Sequence, residues 1–258
     1  MSVQKSWNEL QKMHRACTIV VETLETLAQA AVAGVTTREL DRIARERILK
    51  EGAKPAFLGY RGYPATLCVS VNEEVVHGIP GPRKLHDGDI VSLDLGCVVD
   101  GFYGDSARTV AVGKVSAEAQ RLMRVTEEAL HQGIAQCHPG KRVGDIGHAV
   151  QQHAEANGYS VVRDLVGHGI GTSLHEDPQV PNYGPPGRRA RLVTGMCLAI
   201  EPMVNVGGAD VRKLDDGWTE VTTDGKLSAH FELSVAVTEH GPWILSEPWP
   251  YAEARAHA

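Results

Sequence analysis

Basic charge is scarce in this chain. Its 258 residues carry 26 Lys and Arg against 32 Asp and Glu, a net charge of −6, with no Lys or Arg run to offset it. Sequence-independent binding to phosphates needs a cationic face, so nucleic acid is not an expected partner. Long apolar runs are also missing. None approaches the roughly 20 residues that cross a bilayer, and Glu9 comes early in an N-terminus without an uninterrupted apolar core, so no signal peptide is read. The five cysteines (Cys17, Cys68, Cys97, Cys137, Cys197) are odd in number and widely spaced, with no CxxC. That pattern is neither a disulfide framework nor a zinc finger, and it fits a reducing compartment. The expectation is a soluble cytoplasmic protein with no membrane partner. At 42 % hydrophobic the chain can bury a sizeable core, and no compositional linker divides it.

What is present is a sequence of well-marked elements. Leu10, Met13, Cys17, Val20, Leu24, Leu27 and Ala31 recur at three- and four-residue steps, which predicts a helix over residues 5–33 stopped by Gly34. Thr36 with Glu39 is a capping-box signal for a second helix ending before Gly52. Residues 65–71 alternate as a strand, Asn72-Glu73 turns, and Val75, Val76 and His77 continue it. Asp100-Gly101 signals a tight hairpin between strands at 90–95 and 109–112. Helices are expected over 116–136 and 143–156. The Gly/Pro-rich stretch 167–187 reads as one long functional loop. Strand-like runs follow at 196–206 and 231–237, with a hairpin near Asp215-Asp216-Gly217 between them. Helix, helix, strands occurs twice, which predicts two similar α+β halves around an antiparallel sheet.

Some charged residues sit in apolar company. Asp94 lies among Ile90, Val91, Leu93 and Leu95, and a tight Asp100-Gly101 turn sets it opposite Ala107. Asp105 is then its diagonal neighbour on the same face, within about 7–8 Å at the backbone. A random pair of aspartates on a hairpin is more often a solvated face. Here the apolar neighbours favour burial, where a carboxylate needs a cation or hydrogen bonds. His168 sits in a GHGIG segment whose spacing is wrong for a dinucleotide fingerprint, with no helix pattern after it. Its glycines are read as allowing tight turns beside a ligand, and His175 follows seven residues on. Glu201 precedes Pro202 in an apolar run, and Glu232 shares a predicted strand face with His230. Either glutamate alone is explained as well by an ordinary salt bridge. Together, four carboxylates and one imidazole make a poor core and a good cage for hard divalent cations. Two such ions would balance the four negative charges.

In order along the chain, FLGYRGYPATLCVSVNEEVVHGIPG, LHDGDIVSLDLG, GHGIGTSLHEDP and IEPM resemble the type I methionine aminopeptidases, over residues 7–245. The resemblance implies the pita-bread fold, an α+β architecture of two pseudo-symmetric halves, built here as one catalytic domain over residues 1–258. It implies a dinuclear centre of Co, Mn, Fe(II) or a similar ion held by Asp94, Asp105, His168, Glu201 and Glu232, with Asp105 and Glu232 bridging. It implies His77, His175 and Glu201 as catalytic groups. It places Phe57, Tyr60, Tyr63, Cys68, Leu174 and Trp218 around a methionine pocket, with His77 and His175 also touching substrate. The expected partners are the N-termini of nascent polypeptides near the ribosome, met by a monomer. Two residues depart from the family pattern: Leu174 stands where an aromatic is usual, and His230 where Gln is usual. Prolidases and aminopeptidases P share the fold but add a large N-terminal domain, and non-catalytic relatives lack metal ligands that this chain keeps.

Overall fold

A computed structural model describes residues 4–250; residues 1–3 and 251–258, the ends of the expected domain, lie outside the described part. Four helices stand in two pairs, α1 (Trp7–Ala30) with α2 (Thr37–Lys50) and α3 (Ala117–Ile134) with α4 (Val143–Ala156). Strands β1 (Lys54–Pro55), β2 (Leu67–Val71), β3 (Glu74–Val76), β4 (Ile90–Val99) and β5 (Phe102–Ala111) follow the first pair. After the second pair come β6 (Ser160–Val161), β7 (Gly167–Gly169), β8 (Glu176–Val180), β9 (Cys197–Ile200) and β10 (Met203–Asn205). The chain ends with β11 (Val211–Lys213), β12 (Glu220–Thr222), β13 (Ser228–His230), β14 (Glu232–Thr238) and β15 (Gly241–Ile244). The large sheet runs β1-β4-β5-β14-β9-β7-β8, with β2 also on β4 and β15 also on β14. Two three-stranded sheets, β13-β10-β6 and β11-β12-β3, complete the fold.

The expected halves are visible in the core. Leu24, Leu27, Leu40 and Ile48 of the first helix pair pack with Leu67, Val69, Leu93 and Leu95 of β2 and β4. Leu130, Ile134, Val143 and Ile146 of the second pair pack with Leu198, Ile200, Val235 and Val237 of β9 and β14. All seven stripe positions are buried, six of them in α1 and Ala31 at its C-cap. The halves join where β5 pairs with β14, Ala107 opposite Glu232 and Ser106 opposite Leu233. Strand alternation then sorts the faces: Leu93 and Leu95 meet helices, so Asp94 points away from them. Gly104 lies where β5 crosses α1, with a Cβ there falling 2.6 Å from the Cys17 nitrogen. Asp105, its neighbour, projects to the other face.

The hairpin register is as expected, with Asp94 opposite Ala107. Five local expectations are corrected. The stretch 167–187 is not one loop, because it contributes β7 and β8, which pair with each other. Gly167 and Gly169 adopt no left-handed backbone; they are small because the carbonyls of Ala199 and Asp177 crowd the space a Cβ would need. The run 196–206 is two strands broken at Glu201-Pro202, since proline has no N–H for the ladder. His230 and Glu232 do not share a strand, because the chain changes sheets at Phe231. The second capping box is half formed: the Thr36 hydroxyl accepts from the Glu39 N–H at 3.2 Å, but the Glu39 carboxylate pairs with Arg42 at 2.6 Å. The reciprocal box stands at α1 instead, between Ser6 and Glu9.

Candidate functional site

Five residues, from four strands and a strand break, converge at the seam between the halves. Asp94 comes from the middle of β4, Asp105 from β5 and Glu232 from the start of β14. His168 is the central residue of β7, and Glu201 follows β9 at its proline break. Asp105, His168 and Glu232 offer ligand atoms that all lie within 4.8 Å of one another. Glu201 Oε1 stands 3.5 Å from His168 Nε2, and Asp105 Oδ2 stands 3.9 Å from it. His168 Nδ1 bonds the Gly169 carbonyl at 2.9 Å, which turns Nε2 toward the carboxylates. Ser234 donates to the Asp105 carbonyl at 2.8 Å, and Asn182 donates to the Glu201 carbonyl at 3.0 Å. The frame is thus fixed through its backbone while the carboxylates stay free.

Those free oxygens are the decisive observation. Asp94 Oδ1, Asp105 Oδ1 and Glu232 Oε1 are buried and lack hydrogen-bond partners. Burial pushes the Asp94 carboxyl up to about 7. Burial, reinforced by the charge of Asp94, holds Asp105 well above the usual carboxylate range. Burial and the charges of Asp105 and Asp94 do the same to Glu201, and burial with Asp105, Glu201 and Asp94 does so to Glu232. Four carboxylates that repel one another, three of them with a buried oxygen facing no donor, have the character of a cation site. His168, which burial and then His175 lower to about 4, is neutral at pH 7 and offers a nitrogen lone pair. The donor set is oxygen-rich and sulfur-free, as hard divalent ions require.

The cage forms the floor of a cavity of about 150 Å³. Its apolar wall is Phe57, Tyr63, Cys68, Leu174 and Trp218, which pack as one cluster. Leu174 is buried in that wall, 3 % exposed. Tyr63 is held by its hydroxyl, which donates toward the Gly78 carbonyl at 2.9 Å, and its ring meets Trp218 edge-on at 5.1 Å. His175 stands over His168, ring centres 4.2 Å apart, and Tyr60 Oη contacts its Nδ1 at 2.8 Å. His77 sits at the end of β3 with φ +61°, a backbone strain of the kind found at working sites. Burial, then the positive charge of Lys213 and His175, lowers its imidazole to about 4. Every site residue read from the sequence borders this one cavity.

Sequence reasoning missed two neighbours. Arg61 also lines the cavity, and the GYRGY context gives no signal for its role. For His230 the sequence offers a departure from the family pattern and an expected strand face with Glu232, neither of which gives it a place in the site. It is buried, its Nε2 lies 3.8 Å from Glu201 Oε2, and neither ring nitrogen has a hydrogen-bond partner. Its backbone is clamped instead, since Thr109 Oγ1 accepts from the His230 N–H at 2.9 Å and bonds its carbonyl at 2.9 Å.

Comparison with known proteins agrees with this metal-ready geometry. Residues 11–239 match the model of metallopeptidase family M24. The chain belongs to that family. This metallopeptidase is 54 % identical over 246 residues to a methionine aminopeptidase of Clostridium perfringens, covering 95 % of this chain and 99 % of that one. It is 51 % identical to methionine aminopeptidase 1 of Bacillus subtilis, again covering 95 % and 99 %. Among solved structures it superposes on a methionine aminopeptidase of Thermotoga maritima with a TM-score of 0.94 at 46 % identity, covering 96 % and 100 %. A prolidase of Pyrococcus horikoshii, 21 % identical with a TM-score of 0.78, shares the fold. The architecture is therefore the pita-bread fold, and the family works with divalent metal.

Proposed function

We propose that this metallopeptidase removes N-terminal methionine from polypeptides whose second residue is small, as one catalytic domain over residues 1–258. One observation carries the reading: the carboxylate cage and a methionine-sized wall of aromatic, aliphatic and sulfur groups border the same small cavity. A flexible thioether suits such a wall.

Asp94, Asp105, His168, Glu201 and Glu232 would hold two divalent cations, with Mn, Fe(II) or Co suited to the donors. When bound, such ions act as Lewis acids and bring the pKa of a coordinated water toward neutrality. The chain's own groups do the rest. Glu201, beside His168, accepts the proton of the attacking water and returns it to the departing amine. With the Tyr60 hydroxyl donating to Nδ1, His175 carries its hydrogen on Nε2 and aims it into the cavity, toward the carbonyl oxygen as charge develops there. His77, fixed by its strained backbone, holds the scissile amide from the other side. A free α-amine has a lone pair to offer a divalent ion at the floor and an acylated N-terminus does not, so the enzyme would be an exopeptidase. Its partners would be nascent chains, met in the cytoplasm near the ribosome by a monomer.

The test is a peptide panel on the metal-loaded protein. Met-Ala-Ser should be cleaved, while acetyl-Met-Ala-Ser and Met-Lys-Ser should be cleaved poorly. Equal rates on all three would refute the reading, and cleavage of X-Pro peptides alone would indicate the chemistry of a prolidase.

A further inference from the structure

The cavity has a charged doorway. Of the side chains that line it, only Arg61 and His175 are exposed, so these two mark the mouth. Arg61 is placed there by a tight turn: Tyr63 N–H bonds the Tyr60 carbonyl at 2.9 Å, and Arg61 itself has φ +48°. Its guanidinium stacks on the Tyr60 ring at 5.4 Å, and the Tyr60 ring stacks on His175 at 5.3 Å. Among the described residues no carboxylate pairs with Arg61 and no acceptor takes its N–H groups. Asp216 lies beside Trp218 in sequence, but its oxygens accept from the Trp218 and Thr219 N–H groups and the Thr219 hydroxyl. No carboxylate among the described residues stands within ion-pair distance to cancel the positive charge.

A substrate whose first residue fills the apolar wall has its amine at the floor, so its remaining chain must leave through this mouth. Once two divalent ions balance the four carboxylates, Arg61 supplies the net charge that the departing chain meets. We infer that Arg61 is a specificity-determining residue that selects polypeptides with acidic residues just after the second position and disfavours basic ones. This rests on the methionine reading above, and deepens it by naming the class of N-terminus served first. A guanidinium suits this task because it offers five N–H donors in a fixed fork to a carboxylate. The contact is solvent-exposed, so its effect is modest and falls with salt.

The experiment uses C-terminally amidated Met-Ala-Glu-Glu-Ser, Met-Ala-Gln-Gln-Ser and Met-Ala-Lys-Lys-Ser with the metal-loaded full chain. At low ionic strength kcat/KM should favour the acidic peptide over the neutral one by roughly two- to fivefold, with a similar penalty for the basic peptide. In 0.5 M salt the three rates should converge. Arg61→Lys and Arg61→Gln meet the same left-handed backbone and differ in charge, so the preference should persist in the first and vanish in the second. The inference is overturned if the wild-type protein shows no charge preference at low salt, or if Arg61→Gln keeps it. Failure to cleave even the neutral peptide would instead sink the methionine reading, so the two failures are distinguishable. The wild-type salt series alone can still overturn the inference if both variants misfold, since an absent preference at low salt rules it out.

Discussion

Glu201 carries the heaviest chemical demand of any residue here. It is half-buried, 3.5 Å from His168, and its carboxyl lies well above the ordinary range. Replacing it with Gln keeps the shape and removes the proton acceptor, so kcat should fall by about 10²–10⁴. Single-turnover kinetics with metal content measured alongside would check this, and a kcat within threefold of wild type at full metal loading would refute the role. Leu174 tests the pocket. It was read as a wall residue by resemblance alone, and the structure buries it among Phe57, Tyr63 and Cys68. A Leu174→Phe change adds only a few carbons to that wall, worth on the order of 1 kcal/mol, so kcat/KM for Met-Ala peptides should shift by less than about tenfold. Rates on methionine, norleucine, leucine and phenylalanine peptides should separate more than the best rate changes. A uniform loss on all four would mean that the ring displaces His175 rather than reshaping the pocket.

At the scale of elements, legibility followed the strength of the local signal. The hairpin register was readable because Asp100-Gly101 fixes a two-residue turn, and every partner across β4 and β5 follows from it. The α1 stripe was readable because its helical period is uninterrupted. The strands around His168 were not, because β7 is held by pairing with β9 and β8 by pairing with β7 rather than by alternation or propensity. Crowding, not turning, explains the glycines beside His168, and no single-sequence signal distinguishes the two. The same crowding makes a prediction at the β5–α1 crossing. A Gly104→Ala side chain would lie 2.6 Å from the Cys17 nitrogen and 2.7 Å from the Ala16 carbonyl carbon. Overpacking of that kind costs about 1–3 kcal/mol, a drop of several degrees in Tm for a chain of this size, at roughly 2–4 °C per kcal/mol. Scanning calorimetry would show it; an unchanged Tm would mean that α1 can shift away from the sheet.

For the whole molecule, the cage is a built-in conflict between stability and function. Asp94, Asp105, Glu201 and Glu232 titrate higher in the fold than in the unfolded chain, so the folded protein holds more protons and metal-free stability falls as pH rises. Asp94 sets a window: its contribution is complete below its ordinary value of 3.8 and is lost as pH passes about 7. His77 and His168, lowered from 6.5 to about 4, and His230, lowered to about 3, act with the opposite sign. They add stability as pH climbs toward 6.5 and nothing more above it. Between about pH 6.5 and 8 the carboxyls act alone among these groups. The chelated protein should lose Tm across that interval, and protein saturated with Mn²⁺ should not. A flat chelated profile would mean that the carboxyls ionise freely. Asp94 and Glu201 were legible as charged residues in apolar runs and the family resemblance supplied the full set of expected ligands, whereas the burial that sets their proton affinities, and the partnerless ring of His230, exist only once both halves are assembled.

The central claim is that a carboxylate cage and a methionine-sized wall act as one site, and that metal in the cage is what makes it work. Its most direct test strips the protein with a chelator, then adds back Mn²⁺, Fe²⁺, Co²⁺ or Zn²⁺ one at a time while release of methionine from Met-Ala-Ser is followed. The stripped protein should be inactive, and activity should return with at least one oxygen-preferring ion and saturate near two ions per chain. Full activity after exhaustive chelation, or metal-restored activity that ignores the identity of the first residue, would contradict the account.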